Sequence, residues 1–150
     1  NPKLDVNSKV CFNSNVAASV PTRKFIKLKM KEFENHYFIG QVVNELRSIY
    51  LGAPYEYKIE YNFRNVTDKI YQDGRLRFFC NVPKWMEFLN DSDLTFGSRL
   101  HGNIAAVLAG TPALLVTKDS RTRELAEYHH LNAIHESKLN EKLTLQELVE

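Results

Sequence analysis

At 150 residues, with 43% hydrophobic and 25% charged side chains, the chain has the composition of one ordinary globular domain with a single sizeable core. Its 20 Lys and Arg against 18 Asp and Glu leave a net charge of +2, too even for the broad basic footprint of a nucleic-acid binder, so any electropositive site must be local. No apolar run approaches the roughly 20 residues of a membrane helix and no signal-peptide pattern opens the chain, so a cytoplasmic protein that does not span a membrane is expected.

Short apolar runs alternate with helix-period segments, the pattern of βα units around a mostly parallel sheet. The first strand is expected at Lys9 to Phe12, followed by a small, polar loop from Asn13 to Ser19. Pro21 to Glu34 fits either period, and Pro21 near a first turn favours a helix. His36 to Gly40 is a short aromatic strand. Val42, Val43, Leu46, Ile49 and Tyr50 then form a helical stripe, stopped by Gly52 and Pro54. Between 55 and 74 two patterns compete: Tyr55, Tyr57, Ile59 and Tyr61 alternate as in a strand, while Val66 to Tyr71 suits a short helix. Asp73-Gly74 marks a turn, Leu76 to Cys80 a strand, and Pro83 to Leu89 a helix with Trp85, Met86 and Leu89 facing inward. Asp93 to Gly97 is the next strand. Ile104, Val107 and Leu108 define the helix after it, which Gly110 ends, and small Ala105, Ala106 and Ala109 would let it lie close to the sheet. Ala113-Leu114-Leu115-Val116 reads as a fully buried strand within Pro112 to Thr117. Asp119 and Ser120 can cap a helix from Arg121 to about His129. Leu143 to Glu150 closes the chain as an apolar-periodic helix with no stop signal, so a segment of a longer protein is expected.

Cys11 and Cys80 lie far apart, with no CxxC and no His at ligand spacing, and are expected as buried, reduced thiols. Adjacent His129 and His130 diverge on a helix, so no metal site is expected.

The informative stretch is Leu94 to Tyr128, which contains two successive strand-to-helix junctions. Open α/β sheets bind ligands outside the carboxyl ends of their strands. In the first junction, Gly97-Ser98-Arg99-Leu100-His101-Gly102, two glycines permit close backbone approach and unusual dihedrals. The following helix offers its N-terminal dipole to an anion. Arg99 can add bidentate hydrogen bonds, and His101 can give and take a proton near neutrality. In the second junction, Arg121 and Arg123 occupy a first helical turn, the less favourable end for cations unless an anion lies nearby. Plainer roles exist for each. Arg99 could pair with Asp91, Asp93 or Asp119, and Arg121 and Arg123 could answer Glu124 and Glu127.

The run Ser92-Asp93-Leu94-Thr95-Phe96-Gly97-Ser98-Arg99-Leu100-His101-Gly102-Asn103-Ile104-Ala105-Ala106, followed by Ala109-Gly110-Thr111-Pro112-Ala113, resembles the hallmark of polysaccharide pyruvyl transferases. Asp119-Ser120-Arg121-Thr122-Arg123-Glu124-Leu125 is similar to another part of that family's pattern. Tyr37-Phe38-Ile39-Gly40-Gln41 and Val82-Pro83-Lys84-Trp85 are similar to weaker family features. The resemblance implies a GT-B-like architecture of two Rossmann-type lobes, with this chain as the C-terminal lobe and the N-terminal lobe outside it. It implies transfer of a pyruvyl group from phosphoenolpyruvate onto two hydroxyls of a saccharide or lipid-linked saccharide, forming a ketal, without metal or redox cofactor. By motif position, Arg99 would hold the donor's phosphate or carboxylate, His101 would be the general acid or base, and the Leu100 backbone would orient the donor. Members often carry a basic residue after the first strand of this lobe. Here Cys11-Phe12-Asn13-Ser14-Asn15 stands there, so either Arg23 folds back, or Asn13 and Asn15 line the site, or donor binding is altered. Two other functions stay open: a nucleotide-sugar glycosyltransferase lobe, and a non-catalytic module for an anion or sugar.

Overall fold

The computed structural model describes residues 1–53 and 66–150. The alternation of Tyr55, Tyr57, Ile59 and Tyr61, like the helix stop at Pro54, lies outside those residues. One sheet is formed by β1 (Val10–Asn13), β2 (His36–Gly40), β3 (Leu76–Phe78), β4 (Leu94–Gly97), β5 (Ala113–Thr117) and β6 (Asn132–His135). All its pairings are parallel, in the order β3-β2-β1-β4-β5-β6. That is the strand order of the doubly wound Rossmann fold, and the expected α/β class with helices flanking a parallel sheet is what the chain adopts. Helices α1 (Val20–Met30), α2 (Val43–Leu51), α3 (Lys69–Gln72), α4 (Val82–Asn90), α5 (Leu100–Leu108), α6 (Ser120–Tyr128) and α7 (Leu145–Val149) flank it.

Local chemistry sets the helix starts. Ser19 accepts from the Thr22 N–H at 3.3 Å, Asn81 from that of Lys84 at 3.1 Å and Asp119 from that of Thr122 at 2.7 Å. Each satisfies a donor that the first helical turn leaves unpaired. Pro21 and Pro83 occupy the first turns of α1 and α4, as the ambiguous Pro21–Glu34 segment required for its helical reading.

Alternation along β1 divides the core between the two faces. Val10 and Phe12 join Phe25, Phe38, Phe96 and Leu145 on one side, while Cys11 meets Ile39, Leu89, Ala105 and Ala106 on the other. Burial pushes the Cys11 thiol up to about 11, although its contact with Ser92 at 3.2 Å works the other way. Cys80 departs from expectation: β3 ends at Phe78, two residues early, so this thiol is exposed.

Two helices turn a different face inward from the one their apolar stripes suggested. On α2, Val43 and Tyr50 are 68% and 63% exposed, while Glu45 and Ser48 are buried. On α5, Leu108 is 73% exposed, and the small face of Gly102, Asn103, Ala105 and Ala106 is inside. The alanines let α5 lie close to the sheet, and Gly110, at φ 84°, ends its turn. Strand β6, which had no sequence signal, pairs with β5 across Leu114↔Asn132 to Thr117↔His135. Among the described residues, no helix is long and apolar enough to cross a membrane.

This orientation of α5 is testable by urea denaturation. Ala106→Leu overfills the helix–sheet contact and should cost about 1–3 kcal/mol. Leu108→Gln should stay within about 0.5 kcal/mol of wild type. A larger loss at Leu108 would mean that the helix is rotated.

Candidate functional site

Strand order reverses between β1 and β4, and their carboxyl ends lie side by side in the register Asn13↔Gly97. The approach is close. A Cβ on Gly97 would sit 2.0 Å from the Asn13 carbonyl oxygen and 2.3 Å from its side-chain oxygen, so no other residue fits without moving β1. Neither Gly97 nor Gly102 has a left-handed backbone, contrary to the dihedral role expected of them; among the described residues Gly52, Gly74 and Gly110 do. Their contribution is space. Gly102 makes room for the Gln41 side chain, whose Nε2 would lie 2.5 Å from a Cβ there.

The loop from Gly97 to His101 is braced from several directions. Buried Asn13 accepts from the Arg99 N–H through Oδ1 at 2.8 Å. The Ser98 hydroxyl accepts from the Asn15 N–H at 2.8 Å, which ties this loop to the one after β1. Asn103 donates through Nδ2 to the carbonyls of Arg99, at 2.8 Å, and Gly97, at 3.3 Å. Asn13 is thus a structural post at the switch point.

Arg99 has a partner that the sequence did not suggest. Its Nη2 donates to Glu45 Oε1 at 2.8 Å, with side-chain exposures of 11% for Arg99 and 0% for Glu45. None of Asp91, Asp93 or Asp119 takes that place. The other oxygen, Glu45 Oε2, accepts from the N–H groups of Gln41 at 2.5 Å and Val42 at 3.1 Å. One buried carboxylate therefore ties the loop after β2 to the loop after β4, across the end of β1. The signal was present, since a Glu three residues after a helix cap reaches back to cap N–H groups. It was hidden because Glu45 lay beside a stripe of larger apolar residues.

His101 is exposed and lines two clefts. The first, about 280 Å³, is bounded also by Gly40, Gln41, Phe78, Phe79 and Trp85. The second, about 540 Å³, lies between α5 and α6 and is bounded by Leu100, Ile104, Asp119, Arg121, Thr122, Leu125 and His129. Leu100 and Arg121 thus face the same cleft as the imidazole. Arg123 turns away, 3.8 Å from Glu127 with both side chains exposed, a pairing worth little. Asp119 caps α6, and its hydrogen bond from the Thr122 backbone holds its carboxyl below the usual range.

The N-terminus of α1, where a doubly wound fold commonly seats a phosphate, is already supplied with an anion. The hydroxyls of Ser19 and Thr22 donate to Glu136 Oε2 at 2.6 and 3.0 Å. The Ser19 bond, more than any other influence, keeps the Glu136 carboxyl below its ordinary range. Among the described residues no group of three His, Cys, Asp or Glu side chains could hold a metal ion.

The family model for polysaccharide pyruvyl transferase matches residues 15–120. No curated protein matches the chain. Among solved structures, the crystal structure of the glycotransferase of kitacinnamycin aligns with a TM-score of 0.49 at 12% identity, over 93% of this chain and 33% of that one. The chain spans about a third of that structure's length.

The carboxylates of Glu45 and Glu136 can each be tested through their partners. Arg99→Ala removes one member of a buried pair and should destabilise the fold by roughly 3–5 kcal/mol in chemical denaturation; a loss below about 1 kcal/mol would show that the pair is not holding the loops. Glu136→Gln should lower stability most near neutral pH. The wild-type carboxylate contributes above the ordinary carboxylate range and loses its contribution as acid protonates the folded state, so the difference between the two proteins should close at low pH. A difference that widens in acid would contradict the assignment.

Proposed function

The chain belongs to the polysaccharide pyruvyl transferase family, and from that premise we propose that it is the donor-binding lobe of an enzyme that moves a pyruvyl group from phosphoenolpyruvate onto two saccharide hydroxyls. The observation that carries this reading is the position of His101, on the rim shared by two clefts at the sheet's switch point. One cleft is bordered by a cation and the other by aromatic rings. A proton-transfer group standing between them can serve a charged donor on one side and a neutral acceptor on the other.

The chemistry assigns the parts. Protonation of the donor's methylene carbon leaves an oxocarbenium-like centre at the carbon that bears carboxylate and phosphate. A sugar hydroxyl attacks it and gives up its proton, and phosphate departs. A second hydroxyl then attacks the same carbon, closing the ketal, and its proton leaves with the phosphate or a base. His101 supplies the general acid or base for these transfers. Arg121 and the N-terminal end of α5 offset the donor's charges from the α5–α6 cleft. Arg99, held by Glu45, fixes the loop that leads into α5 and so positions His101.

The pyruvyl carbon keeps its oxidation level through this sequence, so no redox cofactor is called for. Phosphoenolpyruvate is a cytoplasmic metabolite, which assigns the reaction to that compartment. A second, N-terminal lobe in a GT-B-like arrangement would close over the carboxyl edge of the sheet and complete the acceptor site.

In the complete protein, His101→Ala should lower kcat by about 10²–10⁴, the usual range for a lost acid–base group. Turnover equal to wild type would reject the assignment. Thermal shifts should show stabilisation by phosphoenolpyruvate; stabilisation by a nucleotide sugar instead would favour a glycosyltransferase.

A further inference from the structure

Three cations from separate parts of the chain meet near the amino ends of β1, β2 and β3, at the opposite edge of the sheet from His101. Lys9 precedes β1, Arg75 precedes β3 and Arg77 lies within it. All three stand over the Tyr37 ring. Lys9 Nζ is 5.8 Å from its centroid, and the guanidinium carbons of Arg75 and Arg77 are 5.6 and 5.7 Å from it. Phe88 of α4 meets Tyr37 edge to face at 5.1 Å, with Lys9 Nζ 3.9 Å and the Arg77 guanidinium 5.9 Å from the Phe88 centroid. Cation–π attraction of this kind holds a charge in place without neutralising it.

Among the described residues none of these charges has an acidic partner in an ion pair. Lys9 Nζ donates to the Phe88 carbonyl at 3.0 Å, and Arg75 Nη1 to that of His36 at 3.2 Å. Arg77 is exposed and rests on the two rings. The carboxylates at the border are already engaged: Asp73 pairs with Lys69 at 2.6 Å, and Asp93 accepts from the Lys9 backbone N–H at 2.7 Å. A single charge on an edge strand is an ordinary guard against unwanted pairing. Three like charges gathered around one ring exceed that need, because each repels the others.

The arrangement selects its occupant. Arg75 is already in register with β2, since its carbonyl accepts from the Phe38 N–H at 2.9 Å. It therefore shares a face of the strand with Arg77, as their common contact with Tyr37 requires, at a spacing of roughly 7 Å. Alternate side chains of an extended polypeptide have the same spacing. A guanidinium takes a carboxylate through two parallel hydrogen bonds, and its planar fork loses little freedom on doing so. Tyr, Phe and Arg are also the side chains in which protein interfaces are enriched. A broad anionic surface fits less well. It would bring Asp73 and Asp93 against its own charge, and membrane patches draw on roughly four to eight clustered cations.

We propose that this surface docks an extended acidic segment of a partner protein, with carboxylates at alternate positions taken by Arg75 and Arg77 and with Lys9 adding to the attraction. An occupant there leaves the crevice at the carboxyl ends of the strands open. The inference is independent of the reaction proposed above.

The test uses the complete protein and a fluorescein-labelled peptide of alternating glutamate and threonine, read by fluorescence anisotropy. A peptide of alternating glutamine and threonine and vesicles containing phosphatidylserine are run in parallel. The expected result is saturable binding of the glutamate peptide alone, weakening as salt is raised. Arg77→Glu should weaken that binding about tenfold, or roughly 1.4 kcal/mol, and its exposed position should leave the melting temperature unchanged. Arg75→Gln should act in the same direction. No peptide binding, equal binding of the glutamine peptide, an affinity unchanged in both variants, or binding of vesicles without peptide would overturn the proposal. Self-association of the wild type that Arg77→Glu abolishes would also overturn it, by assigning the surface to a second copy of the chain.

Discussion

The carboxylate of Glu45 is the constraint on which the site's geometry depends. It is fully buried, and its two oxygens engage groups from two loops: the Arg99 guanidinium after β4 and the N–H groups of Gln41 and Val42 after β2. Those loops leave strands on opposite sides of β1, so a single residue spans the switch point of the sheet. Asn13 completes the arrangement from β1 itself by accepting from the Arg99 N–H. A buried ion pair is weak evidence for stability, since desolvation offsets much of its attraction. Its value here is directional: three loops are held in one register, and His101 and Gln41 are placed by it.

That framework explains why the site is asymmetric. In a doubly wound fold two helix N-termini face the central crevice, those of α1 and α5. The first is served by the protein's own Glu136, through Ser19 and Thr22. At the other, Arg121 faces the α5–α6 cleft. On the opposite side of His101, the end of β2 and helix α4 build an uncharged wall. The imidazole of His101 thus stands between a charged border on one side and an aromatic one on the other.

Much of this was legible in the chain. The alternation of strands and helices emerged because buried strands such as Ala113–Thr117 are continuously apolar and because Pro21, Pro83 and Asp119 punctuate helix starts. The junction from Gly97 to His101 was recognisable from residue types and from its family pattern. The long-range partners were not. Arg99's counterion lies 54 positions away, and periodicity favoured the larger Val43 and Tyr50 over Glu45 for the inner face of α2. On α5, close approach to the sheet selected small side chains, so Val107 and Leu108 face outward although they are the more hydrophobic. Glycines at 97 and 102 were read as allowing a ligand's close approach and unusual dihedrals; neither is left-handed, and the space they leave is filled by Asn13 and Gln41. Gln41 drew notice only as a minor part of a resemblance, and Trp85 there and on the inner face of its helix, because nothing local reveals an unpaired buried N–H.

The central claim is that a small dianion enters the α5–α6 cleft and meets His101 at its rim. A crystal structure of the complete protein soaked with phosphoenolpyruvate tests it most directly. The account predicts donor oxygens within hydrogen-bonding distance of Arg121 and the His101 imidazole, with Glu136 still bound to Ser19 and Thr22. Donor density at the α1 N-terminus with Glu136 displaced, or against Trp85, would contradict it.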